Sequence, residues 1–188
     1  MKKIFLITVL IAFVSCQKEN TSKNTLLLSG KIEGLKNGTL YIQRLKDTAL
    51  IPIDTIVFKG KSTFETKLNL DSPEMLYLFL DRGVTNSIDD NLPFFAEPGK
   101  MEINTTLDFF ASDAKITGSK NQKLFEEYKK GTTQYNNANL DLIKEKFELL
   151  KKDHAANTTV IDMKQQDLIA GKYLYAVNFA VNHKYAEI

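Results

Sequence analysis

Cysteine, histidine, proline and tryptophan are all scarce in this 188-residue chain: one Cys, two His, four Pro and no Trp. One cysteine excludes an internal disulfide framework and a four-cysteine zinc site within the chain. It also excludes the Cys-x-x-Cys pair of a thiol–disulfide reductase, in which one thiolate attacks and the other resolves. His154 and His183 stand twenty-nine residues apart, outside any His-Glu-x-x-His pattern, and each reads as a surface helix residue. No Gly-x-Ser-x-Gly elbow, phosphate-binding loop or dinucleotide fingerprint occurs. The chain as it stands therefore reads as no enzyme, with no cofactor and no metal. A dominant charge is lacking too: 25 basic residues face 23 acidic ones, and no basic stripe suggests a nucleic-acid partner. What is present is an ordinary globular balance, 43% hydrophobic, too apolar for disorder and too short for more than one or two domains.

Long hydrophobic runs are scarce as well. Residues 4–14 carry no charge and follow Lys2 and Lys3. Eleven helical residues reach only about 16 Å, roughly half a hydrocarbon core, which suits a secretory signal and not a membrane span. The run ends at Phe13-Val14-Ser15-Cys16, which resembles the lipobox of bacterial lipoproteins, with Phe13 in place of the usual aliphatic residue. The resemblance implies lipidation of Cys16 and removal of residues 1–15. The thiol then becomes a thioether without redox chemistry, and two or three acyl chains anchor stably at about 0.8 kcal/mol per buried CH₂. Loss of Lys2 and Lys3 leaves basic and acidic residues balanced. Residues 17–24 (QKENTSKN) are polar and aperiodic, a tether of at most about 28 Å. Gln17 stands where an Asp commonly retains lipoproteins at an inner membrane, so the expected location is the cell envelope, at the outer membrane.

From residue 26 to residue 118 the pattern is strand after strand. Runs at 26–32 and 38–45 are β-rich, and Asn37-Gly38 between them predicts a tight hairpin. Runs at 54–58 and 62–70 flank a short turn at Lys59-Gly60-Lys61. Phe64, Thr66, Leu68 and Leu70 alternate with polar residues, placing one face on a core. Residues 75–80 (MLYLFL) suit a strand covered on both faces. Further runs at 94–96, 101–105 and 115–117 bring the count to seven or eight, predicting an antiparallel β-sandwich or open barrel.

Gly30-x-Ile32-x-Gly34-Leu35-x-x-Gly38-Thr39-Leu40-Tyr41 resembles the opening of the domain of unknown function 4369. So do Asp54-Thr55, Gly60-Lys61-Ser62-Thr63-Phe64, Phe94-Phe95-Ala96-Glu97-Pro98-Gly99 and Ile116-Thr117-Gly118-Ser119, in that order. The resemblance implies a β-rich extracytoplasmic module, common in lipoproteins of one Gram-negative phylum and often placed before a thioredoxin-like domain. The family has no assigned catalytic residues, so none is carried over.

After Gly118 the period changes to that of helices. Ser119 and Gln122 have capping-box spacing, and Leu124, Phe125 and Tyr128 make an apolar face. Leu140, Ile143, Phe147 and Leu150 form a second helical set, with Lys151, Lys152 and His154 at its end. Asn157-Thr158 can cap a third helix over 159–183 with Ile161, Leu168, Tyr175 and Phe179 inward. The fold class expected is α+β: a β-domain over 26–118, then about three helices over 119–188.

Weaker features remain. Asp89-Asp90-Asn91, with Asp81 nearby, offers oxygen ligands for Ca²⁺ but lacks a calcium loop's spacing, and reads as solvated turn. Phe94 and Phe95 read as core, Phe109-Phe110 as a less buried pair in a loop that can face a partner. Asp47-Thr48-Ala49 and Asp54-Thr55-Ile56 resemble the Asp-Thr-aliphatic acceptor for O-glycans on exported proteins of that phylum, making Thr48 and Thr55 candidate modification sites. The function expected is that of an envelope lipoprotein, held to the membrane through Cys16, with a non-catalytic binding or scaffolding β-domain that docks another envelope protein or a surface ligand. The alternative is the N-terminal part of a thioredoxin-like thiol–disulfide oxidoreductase.

Overall fold

A computed structural model of the chain describes residues 24–83 and 87–183. The expected signal peptide over residues 1–15, the expected lipidation site Cys16, most of the expected tether and the last residues lie outside that range. Eight strands come first: Thr25–Glu33 (β1), Asn37–Lys46 (β2), Ala49–Lys59 (β3), Thr63–Asn69 (β4), Glu74–Asp81 (β5), Asn91–Ala96 (β6), Gly99–Thr106 (β7) and Lys115–Thr117 (β8). A one-turn 3-10 helix, Ile88–Asp90, precedes β6, and two helices follow β8: Lys120–Lys152 (α1) and Thr159–Asn182 (α2).

The strands form two four-stranded sheets, ordered β4-β1-β7-β8 and β3-β2-β5-β6. Alternation builds the core between them. Leu26 and Leu28 of β1, Leu40 and Ile42 of β2, Leu76, Leu78 and Leu80 of β5, and Ile103 of β7 are all fully buried. Each such side chain contributes roughly 1.5–3 kcal/mol relative to exposure. In β4, Phe64 and Leu68 turn inward, as their period of two predicts. The two sheets select the sandwich over the open barrel. The pairing is antiparallel except between β1 and β7, which run parallel with Leu28 opposite Met101.

Asn37-Gly38 does not close a hairpin. β1 and β2 lie in different sheets, and the chain crosses between them over residues 34–36. The crossing is fixed by the core: Leu35 is buried at its apex, and the Gly60 N–H donates to the Lys36 carbonyl at 2.7 Å. Burying Leu35 and tying this crossing to the β3–β4 crossing outweighs the local turn preference. The hairpin in this region is β2–β3, turning through Asp47-Thr48 with Lys46 opposite Ala49. Asp47 has φ +55°, the left-handed conformation that a two-residue turn demands and that Asp tolerates. The exposed edge of β3 is broken by Pro52 and a bulge beside it, which blunts edge pairing.

Two helices stand where about three are expected. The first two helical segments are one continuous 33-residue helix, α1. Gly131 and the Asn- and Thr-rich stretch around it have poor intrinsic propensity, but they sit against α2. A Cβ on Gly131 would fall 1.9 Å from the Tyr175 hydroxyl, so the glycine makes room for that ring. On α2, Gly171 lies likewise against Tyr135. Packing of one helix on the other overrides propensity. α2 matches the predicted third helix, and the Asn157 side chain accepts from the Thr159 N–H at its start.

Candidate functional site

The end of β6 and the start of α1 are joined by buried polar contacts. The Ser119 hydroxyl accepts from the Gln122 N–H at 2.9 Å, the first half of the expected capping box. The second half does not form, because the Gln122 side chain is turned elsewhere. Its Oε1 accepts from the Phe95 N–H at 2.7 Å and its Nε2 donates to Glu126. Glu97 takes over the cap, accepting from the Lys120 N–H and from Asn121 Nδ2, both at 2.7 Å. A carboxylate at this position satisfies orphan amides and complements the helix dipole. Gly118, with φ +95°, brings the chain so close to the Lys100 carbonyl that a Cβ would fall 2.1 Å from it. The Phe94–Gly99 and Ile116–Ser119 motifs therefore meet in space, at the hinge between sandwich and helices.

This junction opens an apolar cleft of about 350 Å³. Met75 of β5 and Phe95 of β6 form its floor, Leu124, Phe125 and Tyr128 of α1 one wall, and Ala176, Phe179 and Ala180 of α2 the other. Asn121 and Tyr128 are its two lining residues with polar side-chain groups. The Tyr128 ring lies 6.0 Å from that of Tyr175 and 5.5 Å from that of Phe179, which in turn stacks on His183 at 4.0 Å. The Lys129 ammonium sits 4.6 Å over the Phe125 ring. Burial and then the nearby Glu127 hold the Tyr175 hydroxyl above its ordinary pKa, leaving it a neutral donor facing the Glu127 carbonyl. No nucleophile or acid–base pair lines the cleft. It can take up an apolar group, and its walls are set by the hinge and by ring stacking.

The sequence-predicted sites fall in several places. Phe94 and Phe95 are buried, as the packing argument expects; the loop pair divides, with Phe110 fully buried, against the expectation of a less buried pair, and Phe109 59% exposed. The Thr105 hydroxyl donates to the Phe110 carbonyl at 2.7 Å, fixing which of the two rings turns inward. Asp90 is not a solvated turn residue. It is buried, 2.6 Å from Arg82, and accepts from the Ser87 N–H. Asp89 accepts from the Ser112 amide and hydroxyl at 3.0 and 2.6 Å. Desolvation opposes its charge, but these bonds and the Ala111 and Phe110 amides outweigh it and hold the carboxyl below the usual aspartate range. These carboxylates serve the protein itself, and no cluster of three metal-ligating side chains occurs among the described residues.

Thr48 lies at the exposed tip of the β2–β3 hairpin, and Thr55 is exposed on the edge strand β3. Asp54 has a structural role as well, accepting from the Thr55 N–H and from the Thr66 hydroxyl across to β4. His154 is exposed in the turn after α1, and His183 caps α2 with its Nε2 4.0 Å from Glu127. The cleft itself has no signature in the sequence. Phe95, Tyr128 and Phe179 carry only core and helix-face signals, and their convergence depends on how the hairpin meets the sheet.

Among solved structures, the chain is similar to the CBM25-1 of a beta/alpha-amylase from Paenibacillus polymyxa, at 14% identity and a TM-score of 0.31. That likeness covers 51% of this chain and 92% of the other, and carries no argument about ligand. No curated protein matches the chain. The pattern of a family described as "Domain of unknown function (DUF4369)" matches residues 26–125, which span all eight strands and the hinge through the first turn of α1. The chain belongs to that family.

Proposed function

We propose that this chain is a cell-envelope lipoprotein, tethered through Cys16 at the outer membrane, whose folded part is a non-catalytic module that binds an apolar group. The observation that carries the binding half is the hinge cleft, lined by seven apolar side chains together with Tyr128 and Asn121. Its volume lies at the lower end of the range for small-ligand sites. The anchoring half is supported by the basic start, the charge-free run and the placement of the chain's one cysteine. No described helix is long and apolar enough to cross a membrane.

Titration with the neutral fluorophore N-phenylnaphthylamine tests the binding half. One saturable site is expected, and Ala176→Trp, which fills the cleft from α2, should weaken binding at least tenfold with the circular dichroism unchanged. Equal binding by parent and variant would remove the cleft from the account.

A further inference from the structure

α2 is apolar on two opposite faces. Ile161, Leu168, Tyr175 and Phe179 turn towards α1, and a second row, Met163, Ala170, Tyr173, Leu174, Val177 and Val181, points away from it. Tyr173 and Val181 are each 69% exposed, and Met163 and Leu174 at least 60%. A second apolar stripe on a helix calls for a second surface to cover it. Together with Val160 and Ile169, the outward side chains leave on the order of 700 Å² uncovered, more than the largest patch of a typical monomer.

The geometry points to a second copy of this chain as what covers that row, through an antiparallel two-fold pairing of α2 about Ala170. The area agrees, since a standard interface buries about 800 Å² per partner. The row is also complementary to itself under such a two-fold, as an isologous interface requires. Residues equidistant from Ala170 come together, so Met163 meets Val177 of the second copy and Gln166 meets Leu174. Asp167, the charged residue beside the row, comes opposite the Tyr173 hydroxyl, which can donate to it. Ala170 is the smallest side chain in the row and sits at the crossing, where helices approach to about 8–10 Å. The row carries no surplus charge that would select a charged partner. The helix is about 36 Å long, and the antiparallel arrangement sends the two sandwiches to opposite ends of four paired helices. The pairing requires neither the hinge cleft nor the lipid anchor.

Cysteine cross-linking of the full chain in its host cells tests this. Ala170→Cys should give a reducible band at twice the chain's mass, above any background from the parent chain. Adding Leu174→Glu should lower that band at least tenfold, with the monomer's resistance to protease unchanged because Leu174 makes no core contact. Three results would overturn the proposal: no double-mass band, a band that Leu174→Glu leaves undiminished, or adducts only with proteins of other mass. A face lying on the bilayer would give the first of these.

Discussion

Gln122 is buried in the first turn of α1, with its backbone amide, its side-chain oxygen and its side-chain NH₂ all engaged. Replacing it by Leu keeps the volume but leaves the Phe95 N–H buried without an acceptor, at a cost of about 1–3 kcal/mol. Urea unfolding of Gln122→Leu should show a lower midpoint with an unchanged slope; an unmoved midpoint would mean that the hinge does not depend on this bond. The spacing Ser119–Gln122 was enough to place a helix start from sequence. It could not show that Gln122 bonds β6, because that acceptor role exists only once the strand has been brought alongside. The same holds for Asp90. In sequence it stands in a polar run that reads as solvated turn, and only the fold supplies Arg82 to bury it against.

At the scale of elements, alternation was a reliable guide to strands and a poor one to how they associate. Seven or eight strands were countable because Phe64, Leu68, Met101 and Ile103 recur with period two. The partner of each strand was not, since Asn37-Gly38 has the local chemistry of a hairpin and the decision falls to Leu35 entering the core. The parallel pairing of β1 with β7 joins segments about seventy residues apart, and no local signal announces it. Gly30 bears on that pairing directly. A Cβ there would fall 1.9 Å from the Ile103 carbonyl oxygen and 2.8 Å from the Phe64 ring. Gly30→Ala should force β1 from β7 and destabilise the sandwich by at least the 1–3 kcal/mol typical of overpacking. Hydrogen exchange should show the loss first in β7 amides, and unchanged protection there would contradict the close approach. In the helices, period read the faces correctly but not the continuity, because Gly131 breaks a helix by propensity and completes one by receiving Tyr175.

The whole molecule combines a sandwich, a hinge fixed by Glu97 and Gln122, and a helical hairpin with more apolar surface than one chain covers. In the proposed binding or scaffolding role, the sandwich would be the base, the cleft at the junction the binding site, and α2 the face for assembly. The proposed anchor would keep all three near a membrane, because the tether is short. Everything proposed for this chain's place in the cell rests on lipid anchoring at the envelope. Its most direct test is the intact mass of the native protein extracted from its host's membranes. The expected mass is that of residues 16–188 plus two or three acyl chains. A chain recovered without acyl mass and without membrane attachment would contradict the anchoring, and a species heavier by a domain that carries a Cys-x-x-Cys pair would favour thiol–disulfide exchange instead.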